Sequence, residues 1–334
     1  FLPSVNDFEN LSPVTTGDYS VSYFSLRTAF SKDNKSDHSS KLFRQFEQNR
    51  AIISRRLGAQ NPNSSGSSGG FADGYNKNSQ DVLIASFLAA YTGKDANTVS
   101  LGRFPKIPVP NWRLTYNGLT KYSLFNEIFT SIDINHTYRS TYSVNGFNSR
   151  VRYQEANGSV SVMDADGNFL PFYQFSQITL FEQFMPLIGI DVRLKNNMTI
   201  NLEYQKSRAL SFSLSNSQLA QQKIDGAVFG MGYRTTRFRF PFGLFQGLKM
   251  DNDMNFKLDF ALSDRKIVIY RADVADADIS SGAQNITVRP SVDYVLNQRF
   301  TLRLFYDGNS TRPYTSQTFN TSFSNFGVNL RFTL

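Results

Sequence analysis

Few side chains of this chain combine the types and the spacing that catalysis or metal binding requires. The two histidines, His38 and His136, lie far apart, one in a polar segment and the other in a strand-like segment. Neither has a partner at the spacing of a metal site or a catalytic triad. The chain has no cysteine, which removes disulfides, thiolate catalysis and cysteine-ligated metals. The fingerprints of hydrolases, zinc metalloproteases and dinucleotide-binding folds are also missing. We therefore predict no active site, no cofactor, no metal centre and a function other than catalysis.

One acidic run has the start of a calcium-binding loop but not its end. Asp164–Asn168 reads Asp-Ala-Asp-Gly-Asn. An EF-hand needs Gly at the next position and Glu at the twelfth, where this chain has Phe169 and Phe175. We therefore predict a hairpin turn between strands at 159–163 and 169–174. A second acidic group could hold calcium weakly, but we favour a solvated loop: Asp273, Asp276 and Asp278.

The elements that would position any site are strands rather than membrane helices. Of 334 residues, 40% are hydrophobic, and the mean hydropathy is −0.35. No stretch approaches the ~18 consecutive apolar residues of a membrane helix, which excludes a helical membrane protein. A β-barrel is still allowed, because its strands hide apolar residues by alternation. The 31 Phe and 16 Tyr suit the aromatic girdles of such a barrel.

The formal net charge of +8 is compatible with an anionic partner such as lipid, nucleic acid or an acidic passenger protein. The charges are spread along the chain rather than clustered, so we favour a solvated basic surface and predict no nucleic-acid partner. A soluble β-rich protein with salt-sensitive nucleic-acid binding is the least favoured alternative.

The clearest strand pattern lies at the C-terminal end of the sequence. Val328, Leu330, Phe332 and Leu334 alternate with polar residues, so a strand there has one apolar and one polar face. A polar residue, a glycine and alternating large apolar residues resemble the assembly signal of outer-membrane β-barrels. The signal residues would be Asn325, Gly327, Leu330, Phe332 and Leu334. The alternative is an edge strand of a soluble sandwich.

The same alternation recurs upstream in paired runs. Residues 188–195 and 198–205 form one predicted hairpin, and residues 286–296 and 300–307 form another. Both arms of the first hairpin are near the ~9–11 residues of a tilted membrane strand. The predicted lipid-facing residues are Ile190, Val192, Leu202, Leu258, Phe260, Leu302 and Leu304. The predicted lumen-facing residues, mixed in charge sign, are Asp191, Arg193, Lys195, Glu203, Lys257, Asp259, Arg303 and Arg331.

The connections between these strands alternate in predicted length. Tight turns at Asn196–Asn197 and Asn297–Gln298 contrast with polar segments predicted as long loops, at 214–224, 273–284 and 307–322. Short turns at one end are typical of outer-membrane barrels, where they are periplasmic. We therefore predict an all-β fold with roughly ten to twelve antiparallel transmembrane β-barrel strands and a small helical insertion.

Two segments change to a helical period. Residues 39–57 have an apolar stripe, with Ser39 or Ser40 as N-cap: Leu42, Phe43, Phe46, Ile53 and Leu57. Residues 79–91 have a second stripe before Gly93: Val82, Leu83, Phe87 and Tyr91. The predicted organisation is a strand-and-loop lead-in (1–38), a helical insertion or lid with a Gly/Ser-rich loop (39–110), and C-terminal barrel strands (111–334).

Five runs are more specific than this periodicity. They are N-S-Q-D-V-L-I-A-S-F-L-A-A-Y-T-G-K-D at 78–95, F-P-K-I-P-V-P-N-W-R-L-T-Y at 104–116, H-T-Y-R-S-T-Y-S-V-N at 136–145, N-L-E-Y-Q-K-S-R-A-L-S-F-S-L-S-N-S-Q-L at 201–219 and T-R-P-Y-T-S-Q-T-F-N-T-S-F-S-N-F-G-V-N-L-R-F-T-L at 311–334. Together they resemble the SprA/Sov family, the outer-membrane translocons of type IX secretion and gliding motility.

The resemblance implies a very large single-chain barrel in the bacterial outer membrane that passes folded cargo bearing a C-terminal sorting domain. It implies as partners the remainder of the same long barrel polypeptide, a PorV-like barrel subunit, a periplasmic plug protein, secreted cargo proteins and outer-membrane lipid. Proteins of that family are several times longer, so the resemblance implies that the ten to twelve strands are an antiparallel β-barrel segment of a much larger barrel. This chain also starts at Phe1 without a leader, and we expect the C-terminal portion of a longer or processed chain. The alternative is a stand-alone porin-like outer-membrane barrel for small solutes, which a signal peptide upstream of Phe1 would favour.

Overall fold

Strands follow the segments in which apolar and polar residues alternate, as that period predicts. The computed structural model describes residues 14–34, 36–236, 238–239, 249–250, 252–274, 277–316 and 318–333. The strands are β1 (Thr16–Ser22), β2 (Ser67–Ser68), β3 (Phe71–Ala72), β4 (Trp112–Tyr116), β5 (Phe129–Ser149), β6 (Glu155–Ala156), β7 (Ser159–Val160), β8 (Tyr173–Gln174), β9 (Gln177–Leu194), β10 (Met198–Ser213), β11 (Gln218–Thr235), β12 (Phe238–Arg239), β13 (Lys249–Met250), β14 (Met254–Arg271), β15 (Ala277–Val295), β16 (Phe300–Pro313) and β17 (Thr321–Phe332). The helices are α1 (Lys41–Gln60), α2 (Gln80–Thr92) and α3 (Ser123–Asn126), with short 3-10 turns at Leu26–Thr28 and Leu119–Lys121.

An 11-stranded antiparallel sheet dominates the structure. Its order is β1-β5-β9-β10-β11-β14-β15-β16-β17, and β4 and β8 also pair with β5. Over the described ranges, the edge formed by β1 and β4 is not paired with β17, so the sheet is open. The predicted all-β, antiparallel fold with a small helical insertion is confirmed.

The two predicted tight turns are present because asparagine side chains satisfy the turn backbone. Asn196 Oδ1 accepts a hydrogen bond from Met198 N at 3.1 Å, and Asn197 has the left-handed φ of 65°. Asn297 Oδ1 accepts from Arg299 N at 2.9 Å and from Phe300 N at 3.0 Å. An asparagine side chain that mimics a backbone turn is a common reason for such tight connections.

The three predicted long loops are wrong in extent. Residues 218–224, 277–284 and 307–313 continue the ladders of β11, β15 and β16, so the connections are only 214–217, 272–276 and 314–320. Small polar residues in these runs pair through their backbones as well as apolar ones do. The predicted sorting of loops by end is also wrong, since the long connection 236–253 lies at the same end as the turn 195–197.

Both predicted helices are present. Ser40 Oγ accepts from Phe43 N at 3.4 Å at the start of α1, and Gly93, with a φ of 68°, ends α2. The five stripe residues of α1 are buried as predicted. In contrast, α2 is buried on every side from Asp81 to Thr92, because it lies between α1 and the sheet. In the described part of the chain, no helix has the length and apolar character needed to cross a membrane.

The main core lies between the two helices and one end of the sheet. Phe46 meets Phe212 of β10 edge to face at 5.1 Å, and Phe43 stacks on Tyr270 of β14 at 5.2 Å. Phe87 of α2 stacks on the same Phe212 at 5.5 Å. The strands therefore have two different halves, one covered by helices and one that the helices leave uncovered.

Candidate functional site

The two helices define two faces of the sheet. Leu210 and Phe212 of β10 are buried beneath them, while Ser211 and Ser213 lie on the opposite side. The pairing of β10 with β11 and of β11 with β14 runs without a register shift over the whole strands. The alternation therefore assigns each residue of these strands to one face. We call the side covered by α1 and α2 the helix-side face, and the other side the open face.

The uncovered half of the helix-side face is apolar. Leu202 pairs with Ile190 of β9 and Phe229 of β11, and Phe229 pairs with Phe260 of β14. We define the apolar band as Ile134, Ile190, Val192, Leu194, Ile200, Leu202, Phe229, Met231, Phe256, Leu258, Phe260, Leu262, Ile286, Val288, Val292, Leu302, Leu304, Val328 and Leu330. Leu202 is 44% exposed and Leu330 is 60% exposed. Soluble monomers rarely expose an apolar surface this continuous.

All seven predicted lipid-facing residues belong to the apolar band, so the alternation placed them correctly on one face. Their contact with lipid stays a prediction. Aromatic rings follow the margin of the band nearest the turn 195–197. Tyr233 and Phe256 stack with ring centroids 6.4 Å apart, and the rings of Phe300 and Phe332 are 4.9 Å apart. Such a row is typical of the aromatic girdle of a membrane barrel.

Two rows of charged residues separate the apolar band from the helix-covered core. The first row consists of Lys206, Asp225 and Asp264, and the second of Arg208, Lys223 and Lys266. Lys206 Nζ lies 2.7 Å from Asp225 Oδ1. Lys223 Nζ lies 2.6 Å from Asp33 Oδ2, which belongs to the segment before α1. Along the strands, the helix-side face therefore changes from apolar to charged residues within two to four positions of the edge of the band.

A buried ion pair fixes the segment between β1 and α1 on the sheet. Arg208 Nη2 lies 2.9 Å from Glu182 Oε2, and the two side chains are 4% and 2% exposed. Glu182 Oε1 also accepts from Ser25 Oγ at 2.6 Å and from Tyr138 OH at 2.8 Å. Arg208 Nη1 donates to Thr28 O at 2.9 Å. The sequence reasoning missed this pair, although each member interrupts an apolar alternation on its strand.

The acidic residues that could have held calcium have other partners. Asp164 Oδ1 accepts from the backbone N of Asp166 at 3.0 Å and of Asn168 at 2.8 Å, so the predicted turn is confirmed. Its predicted arms are reduced to a bridge between Met163 and Phe169. Across the residues that the structure describes, no group of acidic and histidine side chains could hold a metal ion.

The second acidic loop is solvated and also forms ion pairs: the side chains of Asp273 and Asp278 are 42% and 59% exposed. Asp273 lies 2.5 Å from Arg50 of α1 and 2.9 Å from Lys77, and Asp278 lies 2.7 Å from Arg271. Asp276 lies outside the described residues. The hydrogen bond from Arg50, and then that from Lys77, lowers the pKa of Asp273 below the ordinary aspartate value, against the opposing effect of burial. These contacts hold α1 against the β14–β15 connection.

The open face opposite the apolar band is polar, with charges of both signs. Seven of the eight predicted lumen-facing residues lie on it: Asp191, Arg193, Glu203, Lys257, Asp259, Arg303 and Arg331. The eighth, Lys195, lies in the turn after β9. Asp191 accepts from Asn201 at 2.6 Å and from Asn135 at 3.2 Å, and Arg303 lies 3.6 Å from Asp293. A role in lining a lumen stays a prediction for all eight.

The proposed assembly signal lies in the edge strand β17. Leu330 and Phe332 are on the helix-side face, Asn325 and Gly327 are on the open face, and Leu334 lies outside the described residues. Gly327 pairs with Phe305, whose ring covers it so closely that a Cβ would lie 2.4 Å from Phe305 Cζ. This glycine therefore allows an aromatic ring to lie across the sheet, which a side chain there would prevent.

The two histidines have structural positions. His136 Nδ1 lies 2.7 Å from Leu187 O, and its ring lies between Trp112 and Phe184, with centroids at 6.4 and 6.2 Å. His38 accepts a hydrogen bond from Tyr270 OH on its carbonyl at 3.1 Å. That they form no metal or catalytic pair stays a prediction.

The helical insertion packs on the helix-side face, above the apolar band and the charged rows. Both α1 and α2 lie on the helix-side face, and a role of the insertion as a lid or as a docking surface stays a prediction. Comparison of this chain with protein-family models and with curated proteins found no match. The function is therefore argued from the geometry of the two faces.

Proposed function

We propose that this chain forms part of the wall of a large β-barrel in the bacterial outer membrane. In this proposal the apolar band contacts lipid, and the open face lines an aqueous conduit. The single observation that carries the proposal is the continuity of the apolar band across paired strands, with charged residues directly behind it on the other face. Alternation of this kind is how a strand meets lipid and water at once.

The height of the band is near that of the apolar band of a membrane barrel. From Phe256 to Leu262, β14 advances six residues at ~3.4 Å each, or about 20 Å before any tilt. The apolar band of outer-membrane barrels is ~25 Å tall. The aromatic margin at one end and the charged rows at the other lie where an interface would place them.

The proposed cargo is protein, and the proposed class is the type IX secretion translocon. An ion filter favours rings of one charge sign, whereas the open face mixes aspartates with arginines and lysines, as a wide wet conduit does. The five runs that resemble the SprA/Sov family also support this class. The proposed partners are further strands of the same long polypeptide at the unpaired sheet edges, a PorV-like subunit, a periplasmic plug protein and secreted cargo.

The two faces can be tested with single cysteines, because the native chain has none. Leu258→Cys and its neighbour Lys257→Cys place a thiol on opposite faces of β14. In outer-membrane vesicles, a fluorophore on Leu258→Cys should be quenched by spin-labelled lipid. Lys257→Cys should react with a charged, water-soluble thiol reagent. Equal access of the water-soluble reagent to both positions would refute the proposal.

A further inference from the structure

A cavity of about 470 Å³ lies directly above the apolar band on the helix-side face. Its floor consists of the first charged row and of Lys223 and Lys266 from the second, together with Tyr204 at the top of the band. Its roof is the segment 30–34 with His38. Phe30 of the roof is 52% exposed while its ring lies 5.4 Å from that of Phe184. The cavity therefore opens at the level where apolar surface gives way to charge.

The lining combines cations that lack ion pairs with acceptors suited to hydroxyl groups. It contains four lysines and three aspartates: Lys32, Lys206, Lys223, Lys266, Asp33, Asp225 and Asp264. Lys206 and Lys223 have carboxylate partners, but among the described residues Lys32 and Lys266 form no ion pair. Lys266 Nζ instead lies 4.6 Å from the centroid of the Tyr314 ring.

Two of these lysines lie directly opposite each other on neighbouring strands. Lys223 of β11 pairs with Lys266 of β14, and like charges at such a cross-strand pair are destabilising. Asp33 offsets the charge of Lys223. Lys266 is therefore the lysine of this pair whose charge remains for a bound anion.

We propose that this cavity binds the phosphorylated sugar headgroup of a membrane glycolipid. This proposal rests on the proposed function, because only then does the apolar band below the cavity contact acyl chains. Lys266 and Lys32 bind the phosphate as point charges. The carboxylates of Asp225 and Asp264 accept hydrogen bonds from sugar hydroxyl groups, and the acyl chains lie along Tyr204 and Leu202. Charged pockets at the edge of a lipid-facing surface are known to select headgroups in this way.

The test uses the full chain in lipid nanodiscs that contain a bisphosphorylated diglucosamine lipid, with bound lipid counted by native mass spectrometry. Lys32→Gln/Lys266→Gln should reduce binding of this lipid about tenfold. The control Lys106→Gln/Lys121→Gln removes the same charge from two exposed lysines outside the cavity and should stay within about twofold of the native chain. Circular dichroism of each variant in the nanodiscs verifies the strand content.

A second anionic lipid and free phosphate show whether the cavity recognises the sugar headgroup or only a phosphate group. Phosphatidylglycerol at equal charge should bind more weakly than the glycolipid, and excess inorganic phosphate should not displace the glycolipid fully. Equal binding of both lipids, or full displacement by phosphate, would overturn the assignment of a sugar headgroup. Equal loss in both double variants would overturn the cavity as the site. A chain that inserts but binds no glycolipid refutes this inference alone, whereas a chain that does not insert refutes the proposed function and the inference with it.

Discussion

An arginine placed in the apolar band gives a depth-dependent prediction. On β14 the apolar band runs from Phe256 to Leu262, and Leu258 lies inside it, about 14 Å along the strand from the margin at Leu262. An arginine at the middle of the lipid layer costs ~2–4 kcal/mol, and the cost falls to ~0–1 kcal/mol near the interfaces. We therefore expect Leu258→Arg to lower the free energy of unfolding by about 2–4 kcal/mol and Leu262→Arg by about 0–1 kcal/mol. Leu202→Arg, on the neighbouring part of the band, should behave like Leu258→Arg.

The matched control lies next to Leu262 on the other face. Ser263 is on the open face, so Ser263→Arg should change stability by less than about 0.5 kcal/mol. Guanidinium unfolding in phospholipid vesicles measures these differences, and the single tryptophan, Trp112 of β4, reports the transition by its fluorescence. Equal costs at Leu258, Leu262 and Ser263 would refute the assigned facing, and so would a cost below about 0.5 kcal/mol at Leu258.

Three further predictions concern the rest of the structure. Glu182→Gln should lower the free energy of unfolding by about 3–5 kcal/mol in a denaturant titration, because it leaves Arg208 buried without its counter-charge. The double change Glu182→Leu/Arg208→Met should recover most of this loss. A double variant no more stable than the single one would contradict the reasoning. The pKa of Asp273 is lower in the folded chain than the ordinary ~3.9 of an unfolded one. Its carboxylate therefore stabilises the fold above pH ~3.9, and this stabilisation is lost as the pH falls through the lower pKa of the folded state. Hydrogen exchange at residues 272–274, corrected for intrinsic rates, should therefore rise in that window, and Asp273→Asn should show no such rise. Gly327→Val should reduce the folded fraction measured by heat-modifiable electrophoresis, because the Cβ of the valine would meet the Phe305 ring. Phe305→Ala in the same chain should restore the folded fraction. Failure of that rescue would show that the glycine is needed for another reason.

The sequence predicted the uncovered half of the sheet well, because there each strand meets two different environments. Leu202 and Asn201 differ sharply in polarity, so the alternation is visible without a structure. The covered half was harder to predict. Residues 218–224 are rich in polar side chains and were predicted as a loop, but they pair along β11. Their apolar member Leu219 packs in the core beneath the helices, a contact that the local sequence does not reveal.

The packing of the helices could not be predicted from their own sequences. The apolar stripe of α1 showed that one of its sides is buried, but not which face of a distant sheet would bury it. The burial of Asp81 on α2 depends on Arg103, whose Nε lies 2.5 Å from the Asp81 carboxylate. Likewise, Glu182 and Arg208 become partners only through the register of β9 with β10. Such long-range pairs follow from tertiary geometry.

The sheet continues well past the apolar band, which has a consequence for the proposed conduit. On the extended part of β10 the open-face residues are Ser207, Ala209, Ser211 and Ser213, and Ser211 lies between Thr179 of β9 and Ala220 of β11. On the same face, β14 carries Arg265 and Arg271. If the open face lines a conduit, its wall beyond the lipid layer would therefore be shallow along β10, where the side chains are small, and positively charged along β14.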